Sequence, residues 1–252
     1  MRPSFTFAGL EIHWYSVFII SAIVIGYLVA RSPAKRRGIS PALLEESILF
    51  GIIGGVIGAR IYHVIDKWPL YRDDFGQIFA IWNGGLAIYG ALLGGALGLA
   101  LFAYWKRLHL LTLLDIWAPS VLLGQALGRL GNWANQEAFG PPTSGSFKIA
   151  IDPENRPPNY ANSAYFHPTF FYELVLALIG FAILLAFRKH LEPRPGHVLG
   201  LYLIIYGAIR YITEFYRFDT ATLFGLRVAH VISLGVIVVG CALFVMPMRH
   251  RR

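Results

Sequence analysis

The fold and the candidate site of this chain are both decided around the stretch GRLGNWANQE, residues 128–137. The stretch closes an apolar run that begins near Leu110, so it places a guanidinium, side-chain amides and a carboxylate at membrane depth. Such groups are costly in hydrocarbon and are rarely kept there without a function. The stretch therefore predicts a membrane-spanning helix with a polar site at its end.

The composition of the whole chain agrees with a membrane protein. The 252 residues are 56% hydrophobic and only 14% charged, whereas soluble domains are about 25% charged. Apolar runs of roughly 17 to 22 residues recur along the chain, which is typical of helices that cross a membrane rather than of a β-barrel. We predict an all-α, polytopic membrane protein with a single domain, residues 1–252. A single cysteine excludes an internal disulfide or a Cys-rich metal site.

Seven spanning segments are predicted, at residues 14–30, 47–65, 84–105, 110–130, 169–187, 198–215 and 226–246. Small residues recur at four-residue spacing in the second and third segments, which predicts close helix packing in lipid. Between the fourth and fifth segments lies the only long connection, a polar and proline-rich loop at about 131–167. Loops of this length often act as lids or binding loops.

The orientation of the spans follows from the basic residues between them. One side of the predicted topology holds twelve Lys and Arg residues: Arg31, Lys35, Arg36, Arg37, Lys106, Arg107, Arg188, Lys189, Arg194, Arg249, Arg251 and Arg252. The other side holds seven: Arg2, Lys67, Arg72, Lys148, Arg156, Arg217 and Arg227. The positive-inside rule therefore places the N-terminus outside and the C-terminus in the cytoplasm. The net charge of +8 then indicates anionic lipid rather than nucleic acid as the partner of the basic patches.

Three arginines remain within the spans or at their edges, namely Arg60, Arg129 and Arg210. In the predicted topology all three lie near the outward ends of even-numbered spans, so we expect one shared site in the outer leaflet. Arg129 shares a helical face with Gln125 and Asn132, and a forked guanidinium beside an amide suits a phosphate. The alternative is an arginine that extends from a helix end to the lipid headgroups.

The sixth span carries a second polar stripe, Tyr206, Arg210 and Glu214, at four-residue spacing. Its arginine and glutamate could simply neutralise each other, but a second arginine-bearing span at the same depth favours a site. Two further carboxylates have a structural interpretation. Glu173 opens the fifth span, where capping alone could explain it, and Asp115 is expected to be a first-turn or interfacial carboxylate rather than a catalyst. No histidine pair has the spacing of metal ligands in a helix, so no metal site is predicted.

At this point the motifs resemble a known family. The run GRLGNWANQEAFG, residues 128–140, is similar to the signature of the bacterial prolipoprotein diacylglyceryl transferases. Further similar motifs are HWY at 13–15, GAR at 58–60, WNGGL at 82–86, HPT at 167–169 with the nearby Glu173, and the stripe from Tyr206 to Glu214.

The resemblance implies an enzyme that transfers the diacylglyceryl group of phosphatidylglycerol to the lipobox cysteine thiol of a prolipoprotein, releasing glycerol phosphate. It implies a multi-pass protein of the bacterial cytoplasmic (inner) membrane, with the active site toward the extracytoplasmic face and without a metal or organic cofactor. It matches Arg129 and Arg210 to the essential arginines. Six further residues match functional positions: Tyr15, Asn132, Glu137, Gly140, Tyr206 and Glu214. Arg60 is predicted to bind substrate with them.

The chain departs from the family at Tyr89, where many members have the histidine proposed as a base. A phenol is a poor base at neutral pH unless its surroundings change that. Either the histidine is not obligatory, or Tyr89 only positions lipid. The candidates to accept the thiol proton are Glu137, Glu214 and Tyr89, in falling order. In the predicted reaction the thiolate attacks the glycerol carbon, and the two arginines stabilise the leaving phosphate.

A second class of function stays open at this stage. Buried Arg and Glu residues could instead line the path of an anionic lipid or metabolite in a transporter or flippase. Transporters commonly show internal repeats and helices broken at mid-membrane, and this sequence shows no repeat.

Overall fold

The computed structural model of the chain describes residues 3–7, 9–218, 220, 222, 223 and 225–245. Its helices are α1 (Trp14–Arg36), α2 (Pro41–Asp66), α3 (Ile88–Trp105), α4 (Leu110–Ala134), α5 (Thr169–Leu191), α6 (His197–Thr213) and α7 (Val228–Val245). These seven helices of the described part are long and apolar enough to span a membrane, α6 with the short 3-10 helix that follows it. The predicted all-α class is thereby confirmed. The orientation of the termini stays a prediction, and Arg2, Arg249, Arg251 and Arg252 lie outside the described residues.

Three short antiparallel strand pairs lie outside the helices in the described part of the chain. They are β1 (Ser4–Phe7) with β2 (Leu10–His13), β3 (Ile149–Ala150) with β4 (Tyr165–Phe166), and β5 (Thr222–Leu223) with β6 (Leu226–Arg227). The predicted seventh span began at Leu226, but the helix begins after β6. The predicted third span began at Gly84, but Gly84 and Gly85 have φ of 82° and 75°, which a right-handed helix does not allow.

The chain forms two compact units, one of residues Met1–Ala30 with Asp115–Arg252 and the other of Arg31–Leu114. Within the second unit α2 packs against α3 through glycines. A Cβ added at Gly58 would lie 2.7 Å from the Cα of Gly94, and one at Gly54 would lie 3.1 Å from the Cα of Gly98. The two backbones are therefore in direct contact, as the small-residue spacing predicts.

The first unit is built around α4, α5 and α6, whose apolar faces form one buried cluster that includes Leu122, Leu174 and Val198. Asp115 fixes the start of α6: it is 1% exposed and accepts hydrogen bonds of 2.8 Å from the main-chain N–H groups of Gly196 and Leu199. This corrects the expected first-turn or interfacial carboxylate, because Asp115 caps a different helix from its own.

The loop between α4 and α5 has its own small core of Phe139, Ile151 and Phe166. In the β3–β4 hairpin Ile149 pairs with Phe166. The loop begins later than predicted because α4 continues to Ala134. This core holds the residues that follow α4 close to the start of α5 and to the residues after α6.

Candidate active site

Arg129 lies in the last turns of α4 and contacts two side chains. Its Nη2 forms an ion pair with Oε2 of Glu173, near the start of α5. Its Nη1 donates a hydrogen bond of 3.1 Å to Oδ1 of Asn132. The predicted shared face of Arg129 and Asn132 is thus observed as a contact, and the arginine does not simply extend away from the protein.

Arg210 reaches the same carboxylate from α6. Its Nη1 lies 3.9 Å from Oε1 of Glu173, and its Nη2 lies 2.8 Å from Oε2 of Glu214. Glu214 is 1% exposed, and its main-chain carbonyl accepts a hydrogen bond of 2.6 Å from Arg227. The Arg210–Glu214 pair expected from sequence therefore exists, but it is one part of a larger cluster.

Glu173 is the centre of that cluster. It is 5% exposed, and besides the two arginines above it lies 3.5 Å from Nη1 of Arg217, which follows α6. Among the described residues, the guanidinium groups of Arg129, Arg210 and Arg217 therefore face the carboxylate of Glu173. Because buried charges need partners, this arrangement holds the guanidinium groups in place and keeps the site suited to an anion.

Glu137 lies beyond Arg129 along a chain of amides. Its Oε1 accepts hydrogen bonds from Nδ2 of Asn132 at 2.9 Å and from Nδ2 of Asn135 at 3.3 Å. In contrast to Glu173 and Glu214, Glu137 is exposed. A carboxylate that is accessible and one amide away from an arginine can exchange a proton with a bound substrate.

Gly140 lies where the loop between α4 and α5 contacts the start of α5. Its main-chain N–H donates a hydrogen bond of 2.8 Å to the carbonyl of His167, and Oγ1 of Thr169 donates one of 2.9 Å to the carbonyl of Tyr216. A Cβ at Gly140 would overlap the Tyr216 carbonyl and lie 2.5 Å from Oγ1 of Thr169. Only glycine fits at this junction.

A comparison with known proteins decides the family. The family model of prolipoprotein diacylglyceryl transferase matches residues 3–246. The chain belongs to this family.

Curated relatives are similar in sequence to this chain over most of their length. Phosphatidylglycerol--prolipoprotein diacylglyceryl transferase of Synechocystis sp. is 40% identical, with 94% of this chain and 86% of the relative covered. The proteins of the same name from Trichormus variabilis and Lactococcus lactis subsp. cremoris are 42% and 38% identical, with 92% and 94% of this chain and 84% and 90% of the relatives covered. The resemblance that the motifs indicated is therefore confirmed.

Two further positions that match the diacylglyceryl transferase motifs pack in the same unit. The ring of Tyr15 lies against Gly131, where a Cβ would overlap it. Tyr206 stacks on Tyr202 with ring centroids 6.0 Å apart, and the Tyr202 hydroxyl accepts a hydrogen bond of 3.0 Å from Gln125. Tyr206 lies on α6 with Arg210, whereas Tyr15 lies on α1 and contacts the end of α4. The role of both tyrosines in binding substrate stays a prediction.

The remaining predicted positions, Arg60 and Tyr89, belong to the unit of residues 31–114. Arg60 is buried, and its guanidinium donates to five main-chain carbonyls, those of Gln77, Ile78, Ala80, Gly84 and Gly85. Tyr89 is exposed, with its ring 6.2 Å from that of Tyr62. Their predicted participation with Arg129 stays a prediction.

Sequence reasoning gave Glu173 only a capping role and counted Arg217 only as a loop charge. A signal for each was present. Glu173 is the only charged residue of the predicted span 169–187, and Arg217 follows Arg210 by seven residues, which is two helical turns. An isolated charge in an apolar run indicates a buried partner of opposite charge.

Proposed function

We propose that this chain transfers the diacylglyceryl group of phosphatidylglycerol to the cysteine thiol of a prolipoprotein. The relatives carry this activity in their names. The observation that supports it in this chain is the convergence of Arg129 and Arg210, from two different helices, on the buried Glu173. None of the relatives named above is a transporter or flippase, and nothing supports that alternative.

The proposed step exchanges one bond for another. The sulfur of the deprotonated lipobox cysteine attacks the carbon of the diacylglyceryl group that bears the phosphate oxygen. A carbon–sulfur bond forms, and the carbon–oxygen bond breaks with its electron pair going to the oxygen. Glycerol phosphate leaves as a phosphate monoester, and the thiol proton passes to a base on the enzyme.

The arginines act on the leaving group in this proposal. Negative charge accumulates on the phosphate as the carbon–oxygen bond breaks, and the guanidinium groups of Arg129 and Arg210 offer forked donors to it. Arg129 makes two polar contacts within the described part of the chain, so further N–H groups of its five remain for a phosphate. Glu173 and Glu214 position the arginines.

We assign the thiol proton to Glu137. Glu214 is fully buried and paired with Arg210, which makes it a positioning residue. Glu137 is exposed, and its carboxylate accepts hydrogen bonds from Asn132 and Asn135 at Oε1. Its other oxygen can therefore face a bound thiol.

We place the protein in the bacterial cytoplasmic (inner) membrane with this site toward the extracytoplasmic face. The support is the excess of Lys and Arg on the linkers predicted to be cytoplasmic. A secreted prolipoprotein presents its lipobox cysteine on that extracytoplasmic side.

The activity is tested with the full chain in vesicles that contain phosphatidylglycerol and a synthetic lipobox peptide. Mass spectrometry is expected to show a diacylglyceryl group on the peptide cysteine and free glycerol phosphate. A peptide with serine in place of the cysteine, and vesicles without phosphatidylglycerol, are expected to give no product. Lipid movement across the vesicle without any modified peptide would overturn the proposal.

The base assignment is tested by Glu137→Gln, which keeps the shape of the side chain and removes its basicity. We expect kcat to fall by about 10²-fold or more, the usual contribution of a general base. Glu154→Gln is the matched control, because Glu154 is an exposed carboxylate of the same loop. Equal rates for the two variants would remove Glu137 from the proton transfer.

A further inference from the structure

Gln136, the residue before Glu137, has an unusual backbone. Its φ is +52°, and that of Ala138 is +56°. Residues with a side chain rarely adopt this left-handed region, and where they do the surrounding structure holds them there. Glu137 is therefore flanked on both sides by backbone that needs support from its neighbours.

The support at Gln136 comes from its own side chain, which is 8% exposed. Its Nε2 donates a hydrogen bond of 2.6 Å to Oδ2 of Asp152. Its Oε1 accepts one of 2.8 Å from the main-chain N–H of Asp152 and one of 3.3 Å from Nδ2 of Asn155. Both ends of the Gln136 amide are thus engaged, and we call these three residues the Gln136 clamp.

Asp152, the main partner of Gln136, follows a residue of the loop core. Ile151, next to Asp152, is 1% exposed in the core of the loop, and its carbonyl accepts a hydrogen bond of 2.8 Å from Nε of Arg156. The clamp therefore ties the residues after α4 to a segment next to the core of the loop.

Glu137 directly follows the clamp residue Gln136 in the chain. It is exposed, and its main-chain N–H donates a hydrogen bond of 2.9 Å to the carbonyl of Asn132. Gln136, Glu137 and Asn155 line one pocket of about 400 Å³, with Phe218 on its wall. Resting on the function proposed above, we infer that Gln136 is a positioning residue: its clamp with Asp152 orients the Glu137 carboxylate toward the thiol in this pocket.

A charge swap across the clamp tests this inference. Gln136→Glu places a second carboxylate against Oδ2 of Asp152, so the clamp opens. We expect kcat to fall by about 10- to 100-fold, as for other small misplacements of a catalytic group, while KM changes by less than about threefold. Adding Asp152→Asn restores a donor and an acceptor across the pair, and kcat is expected to return to within about threefold of the parent. The matched control Asp73→Asn, at an exposed aspartate of another loop, is expected not to rescue Gln136→Glu.

A merely structural clamp would lower kcat whichever residue stands at 137. In the Glu137→Gln background, a positioning role predicts that Gln136→Glu changes the residual kcat by less than about twofold. The same fall in both backgrounds, or failure of Asp152→Asn to rescue a folded protein, would overturn the inference.

Hydrogen exchange gives a measurement that does not depend on turnover. Gln136→Glu is expected to speed exchange in peptides covering residues 132–140, and Asp152→Asn is expected to reverse it. Unchanged exchange would overturn the clamp even if Glu137→Gln has no measurable activity. If the parent fails to modify the peptide while exchange responds as expected, the proposed function fails and the clamp stands.

Discussion

Arg129 and Arg60 are both arginines within apolar helices, but their guanidinium groups have different kinds of partner. Arg60 donates only to main-chain carbonyls of residues 77–85, and its guanidinium lies 5.1 Å from the ring centre of Tyr71. Arg129 contacts the side chains of Glu173 and Asn132. One arginine completes a loop, and the other belongs to a cluster of charged side chains.

This difference teaches how to read an arginine at membrane depth. A main-chain carbonyl cannot turn away without rebuilding its loop, so an arginine that satisfies several of them is committed to the fold. Side-chain partners can rotate, and a phosphate can then take their place. The cost of burying a charge indicates that each arginine has a task, but only the partners show which task it is.

The largest expected effect is that of Arg129→Lys, because lysine keeps the charge and loses the fork. We expect the rate of diacylglyceryl transfer to fall by about 10²- to 10³-fold, as when one donor is removed from a preorganised anion site. The thermal midpoint in detergent is expected to stay near that of the parent, since lysine can still pair with Glu173.

Arg72→Lys is the matched control for this measurement, because Arg72 is exposed beside Asp73. We expect it to transfer diacylglycerol at the parental rate. If Arg129→Lys did the same in phosphatidylglycerol vesicles, forked phosphate binding at this position would be ruled out and the two arginines would no longer differ in kind.

Glu173→Gln tests the feature that Arg129 has and Arg60 lacks, a shared carboxylate. The amide leaves the nearby guanidinium groups with less counter-charge, and breaking a buried ion pair typically costs about 3–5 kcal/mol. We expect a transfer rate lower by roughly 10- to 100-fold, because the arginines lose their alignment, together with a clear fall in thermal midpoint. Glu154→Gln is the control for both the transfer rate and the thermal midpoint. A variant as stable and active as the parent would show that Glu173 does not organise the cluster.

The spans and the two central arginines could be predicted from sequence, because hydropathy and the cost of charge in lipid act locally along the chain. The role of Glu173 could not, since its partners come from α4, α6 and the residues after α6. Asp115 was misjudged for the same reason: it caps a helix that begins about eighty residues later in the chain. The partners of Arg60 could not be predicted either, because no spacing rule shows that five main-chain carbonyls converge on one side chain.

Arg60→Lys is expected to lower stability strongly and activity weakly, whereas Arg129→Lys is expected to do the opposite. An ammonium has three donors, so at least two of the five carbonyls lose their partner, and the free energy of unfolding is expected to fall by roughly 3 kcal/mol. Activity per folded molecule is expected to fall by less than about tenfold, because the five N–H groups of Arg60 already bind main-chain carbonyls. Thermal unfolding and transfer assays on the same preparation measure both. A stable variant with a 10²-fold lower rate would move Arg60 into the group that binds phosphate.

The smallest expected effect is that of Tyr89→Phe, in the same unit as Arg60. The exposed Tyr89 ring packs beside Tyr62, and phenylalanine keeps that contact while it removes the hydroxyl. If Glu137 accepts the thiol proton, the transfer rate should change by no more than about threefold, whereas loss of the general base would cost about 10²-fold or more. Comparing pH–rate profiles of Tyr89→Phe and Glu137→Gln separates the two cases, since only the variant that removes the base changes the dependence on pH. A large loss of transfer rate in Tyr89→Phe would mean that the unit of residues 31–114 contributes to the chemistry. The unit that holds Arg60 would then not differ in role from the unit that holds Arg129.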